Sequence, residues 1–312
     1  EGARRMSLPV IIDTDPGVDD AMAIFYALAD PAIDLVGLTS VFGNVPGALA
    51  AENALRLVEM AGAAVPVAIG AAAPRVQPLA KDATDVHGET GFGTVRLAPP
   101  ARTADPRPAP AFLAETCAAR PGEVTIVAVG PLTNLAAALD AAPGIVRDVR
   151  QVIVMGGAVR RGGNVTAHAE ANIWQDPHAA AAVFAADWTV TLVGLDVTER
   201  VICTAEDLAP MVAASPRCGG FLAEAAAFYF DFHRRTAGIE GCHLHDPTAV
   251  IAAVEPGLFG TIDAPLAVTL EGPEAGRTRE GGAGPAVTLC LEVDIEGVRR
   301  RFLDTLHAGR LP

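Results

Sequence analysis

The chain has 312 residues, 51% of them hydrophobic, which is enough for one large core or two small ones. Lys and Arg number 23 against 37 Asp and Glu, a net charge of −14; such a surface repels phosphate backbones, so no nucleic-acid partner is expected and a neutral or cationic small molecule fits better. The five cysteines (Cys117, Cys203, Cys218, Cys242 and Cys290) form no CxxC pair and no disulfide framework, and no signal peptide or uncharged apolar run of about 18 residues is present, so the expectation is a cytoplasmic protein without a membrane partner.

Residues Glu1 to Arg5 precede Met6 and read as an expression scar or an N-terminal extension, leaving 6–312 as a single domain. Pro9-Val10-Ile11-Ile12 is a short apolar run, read as a buried strand, and its end runs into Asp13-Thr14-Asp15-Pro16-Gly17-Val18-Asp19-Asp20. A helix is expected over Ala21–Leu28, stopped by Pro31, then a strand over Leu35–Val41 and a helix over Gly47–Ala61. Gly70 to Pro110 is rich in Pro, Gly and charge, without a period, and reads as a long loop over the sheet edge that could act as a lid. Strands at Val124–Val129, Val152–Met155 and Thr189–Leu195 alternate with helices at Pro131–Leu139 and Pro177–Ala186. An aromatic helix over Gly220–Thr236 is followed by a polar loop to His245. Ala264–Leu270 and Ala286–Val293 read as two antiparallel strands at one edge, before a closing helix over Ile295–Leu306. The pattern implies an α/β fold: a mainly parallel, Rossmann-like open sheet flanked by helices, with a small antiparallel C-terminal addition. Right-handed crossovers put all strand C-termini on one edge, where ligands bind in such sheets.

The acidic stretch is the first chemical signal. Four aspartates fall within eight residues directly after an apolar strand, and like charges so close cannot all stay ionised without a cation among them. A solvated turn with a helix cap is the simpler alternative, since Pro16-Gly17 makes a turn and Asp19 could cap. Oxygen-only ligands favour Ca²⁺ or Mg²⁺ over Zn²⁺. The same residues argue against a dinucleotide site, which needs glycines there, and Ser7, Ser40 and Ser215 include no GxSxG nucleophile. Asp13-Thr14-Asp15 is also the DxD spacing of haloacid-dehalogenase-type phosphatases, but the only lysine, Lys81, lies in the expected lid and the net charge disfavours phosphate substrates. A Ca²⁺-dependent nucleoside or sugar binder without catalysis is a further alternative.

The run Asp13 to Ala21 resembles the DTDPGxDDA signature of the inosine-uridine preferring nucleoside hydrolases, the nucleoside N-ribohydrolase family. Val129-Gly130-Pro131-Leu132-Thr133-Asn134, Met155-Gly156-Gly157, Gly163-Asn164 through Glu170-Ala171-Asn172, and His245-Asp246-Pro247 resemble further segments of that family, in the family's order. The resemblance implies hydrolysis of the N-glycosidic bond of a ribonucleoside to free base and ribose. It implies a Ca²⁺ ion held by the side chains of Asp15, Asp20 and Asp246 and the backbone carbonyl of Val129, with the ribose 2′- and 3′-hydroxyls and a water completing about eight oxygens. Asp19 and Asn172 would hold the ribose diol, Asn164 and Glu170 the 5′-hydroxyl, Met155 would pack on the sugar, Asn44 would orient the water, and Asp13 would brace the loop. Asp15 would take the proton from the attacking water. His245, His87 and Tyr229 are the candidates for protonating the leaving base, whereas His168, His178, His233, His243 and His307 read as structural. Only Trp174 and Trp188 are present, neither in the lid nor beyond the aromatic helix, which leans towards pyrimidine or broad base specificity. Family members are commonly dimers or tetramers, so a homodimer or homotetramer is expected.

Overall fold

β1 (Leu8–Thr14) leads through the acidic stretch into α1 (Val18–Ala29), and β2 (Ile33–Ser40) leads into α2 (Gly47–Met60). The computed structural model describes residues 7–312, so the reading of Glu1–Arg5 lies outside the described residues. After β3 (Val67–Ala68) comes an irregular stretch holding α3 (Thr84–His87), then α4 (Ala109–Ala119), β4 (Thr125–Ala128), α5 (Thr133–Ala141), α6 (Ile145–Asp148) and β5 (Gln151–Met155). Next come α7 (Ala171–Gln175), α8 (Pro177–Ala185), β6 (Val190–Val193) and α9 (Leu195–Thr198). A mostly helical excursion follows: β7 (Ile202–Cys203), α10 (Ala205–Ala214), α11 (Pro216–Ala237), β8 (Cys242–His243) and α12 (His245–Val254). β9 (Phe259–Val268), β10 (Thr278–Glu280), β11 (Ala286–Val293) and α13 (Ile295–His307) complete the fold.

Nine strands form one sheet in the order β10-β9-β11-β6-β5-β4-β1-β2-β3. From β3 to β11 every neighbouring pair is parallel, while β9 is antiparallel to both β11 and β10. The expected α/β class is therefore observed, with one refinement. The last strands are three, and β11 joins the main sheet through β6 instead of forming a separate edge pair. β7 and β8 make a small antiparallel ribbon of their own.

The parallel strands are apolar on both faces because helices cover both. Val10 and Ile12 of β1 pack with α1 and α12, whereas Ile11 packs with Ile126, Val152 and Phe112 on the opposite side. The strand order turns back on itself between β1 and β4, so chain direction sends β1's connection one way and β4's the other. That leaves a crevice beyond their C-terminal ends, where open α/β sheets bind ligands. The aromatic helix begins at Pro216, earlier than Gly220, because proline fits a first helical turn. α10 is an additional helix, started by a capping box of Thr204 and Asp207. The expected lid is tied down: Asn53 of α2 donates to both Pro16 O (3.2 Å) and Thr90 O (2.8 Å), which pins residues 88–93 onto the acidic loop.

Candidate active site

A cavity of about 500 Å³ opens above the β1/β4 crevice. Asp19, Asn44, His87, Val129, Met155, Asn164, Glu170, Asn172, Tyr229, His245 and Asp246 all line it, although they are spread from residue 19 to 246. Asp15 and Asp20 are fully buried beneath its floor, as is Asp13.

The floor is built by the turn after β1. Asp20, in the first turn of α1, accepts from the Thr14 hydroxyl, from Gly17 N–H (2.9 Å) and from the Asn44 side-chain amide (3.0 Å). Asn44 N–H donates to Asp15 Oδ2 at 2.6 Å, so this one residue ties Asp15 to Asp20. A side chain on Gly43 would collide with Asp15 Oδ2, and a Cβ on Gly130 would lie 2.7 Å from Oδ1; backbone alone fits on these two sides of the carboxylate. Asp13 accepts from the Thr39 hydroxyl and from Asn134 Nδ2 (2.7 Å), linking β1 to β2 and α5. It braces the sheet below the loop.

Five carboxylates are thus buried together, and among the described residues none pairs with Lys or Arg. Burial raises all five pKa values, that of Asp13 to about 7 and that of Asp19 to about 8; repulsion from neighbouring aspartates adds to the rise at Asp15, Asp19 and Asp246. Asp13 Oδ2, Asp15 Oδ1 and Asp19 Oδ1 are buried without a hydrogen-bond partner. Asp19, Asp20 and Asp246 each place an oxygen within 4.8 Å of the others. Buried anions and orphaned oxygens of this kind fit a hard divalent cation, which oxygen donors alone would hold. Asp19, expected on the ribose, stands inside the carboxylate group, while Asp15 faces it with a free oxygen. The Val129 carbonyl already accepts from Asn172 Nδ2 (2.9 Å) and keeps a second lone pair.

One side of the cavity rests on α7. Glu170 caps this helix, and its carboxylate accepts from Asn172 N–H (2.9 Å), Ile173 N–H (3.1 Å) and Gly157 N–H (2.9 Å). Its pKa is nevertheless raised by burial. Asn172 Nδ2 also reaches Met155 O at 3.1 Å, so β4, β5 and α7 are held in register at the cavity. Asn164 Oδ1 accepts from Ala171 N–H (3.0 Å).

Another part of the cavity lining is aromatic. His87, at the end of α3, stacks on Tyr229 of α11 with centroids 5.1 Å apart. Tyr229 meets His233, His233 meets His243, and His243 meets His245, at 4.4, 5.1 and 5.4 Å. Burial keeps these imidazoles neutral, with His87 lowered to about 3, His243 to about 4, and His233 and His245 lowered as well. His245 Nδ1 is fixed by the Thr198 hydroxyl (2.8 Å).

Two residues read as structural, His233 and His243, therefore line the cavity. The helical spacing of Tyr229 and His233 is the signal that could have placed them on one face. Trp174, although neither in the expected lid nor beyond the aromatic helix, also lines the cavity; Trp188 is in the core, its indole N–H bonded to Val183 O (2.8 Å).

Residues 10–300 match the family of inosine-uridine preferring nucleoside hydrolases. The chain is 38% identical over 311 residues to the probable uridine nucleosidase 2 of Arabidopsis thaliana, covering 95% of this chain and 97% of that protein. It resembles a plant nucleoside hydrolase, the PpNRh1 enzyme, with a TM-score of 0.93 and 37% identity over 97% of this chain and 100% of that one. A purine-preferring ribonucleoside hydrolase from Gardnerella vaginalis gives a TM-score of 0.93 at 33% identity, over 97% of this chain and 99% of that one. The motifs, the sheet that gathers them and these likenesses agree: the chain belongs to the inosine-uridine preferring nucleoside hydrolase family and is a ribonucleoside N-glycosyl hydrolase.

Proposed function

We propose that the enzyme is Ca²⁺-dependent and acts on pyrimidine ribonucleosides or on a broad range of bases. The observation that carries the metal requirement is the set of five buried carboxylates with three orphaned oxygens and, among the described residues, no Lys or Arg partner. Asp15, Asp20, Asp246 and the Val129 carbonyl would hold the ion. When bound, Ca²⁺ supplies an acidified water and a grip on the ribose 2′,3′-diol.

The remaining work falls to the chain. Burial raises the basicity of Asp15, which suits it to take a proton from the attacking water beside it. Asn44, bonded to both Asp15 and Asp20, fixes the direction of approach. An oxocarbenium-like transition state develops positive charge at the sugar, and the carboxylate floor stabilises it. Asn172 and Asp19 orient the diol, Glu170 and Asn164 the 5′-hydroxyl, and Met155 packs beneath the ring. The departing base meets His87, His245 and Tyr229, which at neutral pH act as neutral hydrogen-bond donors. The base preference rests on this wall of histidine and tyrosine, which offers hydrogen bonds where a pair of stacked tryptophans would offer only surface. A cytoplasmic setting rests on five unpaired, buried cysteines, and assembly as a homodimer or homotetramer on the family resemblance. No helix among the described residues is long and apolar enough to cross a membrane.

The test is ribose release from uridine, cytidine, inosine, adenosine and 2′-deoxyuridine. Uridine or cytidine should be turned over at least as well as the purine nucleosides. 2′-Deoxyuridine should lose about 100-fold in kcat/KM, because a missing contact to a charged centre is worth about 3 kcal/mol. Equal rates on uridine and 2′-deoxyuridine would overturn the diol contact. Binding without ribose release would replace the enzyme with a binder.

A further inference from the structure

His87 and His233 are not interchangeable donors, because each is anchored through Nδ1 to a different kind of partner. His87 Nδ1 accepts from Val18 N–H at 3.2 Å, so the proton of the neutral ring sits on Nε2 and His87 presents a donor. His233 Nδ1 lies 2.9 Å from Tyr229 O. A carbonyl only accepts, so here Nδ1 carries the proton and Nε2 is a bare acceptor. His87 stacks on the Tyr229 ring at 5.1 Å, and His233 meets that ring in a T-shaped contact at 4.4 Å. Both histidines line the cavity, and among the described residues no group bonds His233 Nε2. Its neighbour His243 touches the ring at 5.1 Å without a hydrogen bond to it, and His243 Nδ1 is buried and unpartnered.

We propose that His233 determines base specificity: its Nε2 accepts a hydrogen bond from a ring N–H of the nucleobase while His87 Nε2–H donates to a ring-bonded acceptor. The bases that fit carry the –CO–NH– edge of uracil or hypoxanthine. Methylation of that nitrogen removes the donor and leaves His233 facing a methyl group. A buried acceptor without a partner loses about tenfold in the complex that must accommodate it. This assignment rests on the hydrolase reading above.

The experiment compares uridine with 3-methyluridine in the wild-type enzyme, in His233→Leu and in His233→Gln, with p-nitrophenyl β-D-ribofuranoside reporting separately whether ribosides are cleaved. Melting temperature reports folding. The wild type should prefer uridine over 3-methyluridine by about tenfold or more in kcat/KM. His233→Leu should lose most of that preference, mainly through a higher KM for uridine, and His233→Gln, whose amide oxygen accepts, should keep part of it. A folded His233→Leu with the wild-type ratio would overturn the assignment while cleavage of the p-nitrophenyl riboside left the hydrolase reading standing. So would a wild type that treats the two nucleosides alike. A wild type that cleaves no riboside would sink both.

Discussion

At the scale of single residues, the aspartates of the acidic loop differ in what they bond: Asp13 to Thr39 and Asn134, Asp15 to Asn44, and Asp20 to Thr14, Gly17 and Asn44. Asp15→Asn keeps the shape but removes the base, so kcat should fall by about 100-fold or more with the fold intact, read from single-turnover ribose release and circular dichroism. A variant turning over uridine within a few-fold of wild type would show that the proton goes elsewhere. The histidines give a prediction of a different kind. His243 titrates near 4 and His87 near 3, against 6.5 in an unfolded chain, because burial disfavours the cation. The stability they contribute is present above pH 6.5 and is lost as pH falls towards 4, since the unfolded chain takes up protons that the folded chain refuses. In His243→Gln the slope of unfolding free energy against pH between 6.5 and 4 should be shallower by about 1.4 kcal/mol per pH unit, one proton's worth, in urea titrations at fixed Ca²⁺. Identical slopes would show that His243 is protonated in the native state. The aspartates were legible because four of one residue type in a short run have few explanations. His233, His243 and Trp174 were not, because only the packing of α11, β8 and α7 around one cavity brings them to it.

At the scale of elements, the strands that carry the site were readable from apolar runs bounded by turn residues. β1, β2, β4, β5 and β6 lie where those runs fall, to within a few residues. β3 has two residues and β10 is Thr278-Arg279-Glu280 at an exposed edge; neither is long or apolar enough to show a period. The expected lid was correctly read as irregular, but its attachment through Asn53 is a long-range contact that no local pattern encodes. Packing between β2 and α4 offers a clean test of how tightly elements far from the chemistry fit. A Cβ on Gly37 would run into the Phe112 ring. Gly37→Ala should therefore destabilise the fold by about 1–3 kcal/mol in denaturant titrations, through overpacking of a full core, with kcat/KM for uridine little altered. A neutral effect on stability would mean that the Phe112 ring shifts freely.

At the scale of the molecule, the parallel sheet is what converts scattered motifs into one site. Residues from 13 to 246 meet because β1 and β4 end at the same edge, on either side of the point where strand order reverses. The cost is a concentration of buried negative charge in a protein whose net charge is already −14. A cation that binds only the folded chain stabilises it by mass action, so Ca²⁺ at about 100 times its dissociation constant should add about 2.7 kcal/mol and raise the melting temperature at pH 7.5, with chelator reversing the shift. No shift would mean that the carboxylates are neutralised by protons alone. The most direct measurement joins this to the chemistry: ribose release from uridine by metal-stripped enzyme, titrated with Ca²⁺. No release from the stripped protein and a saturable return as Ca²⁺ is added is the expected result. Release at full rate in the presence of excess chelator would contradict it.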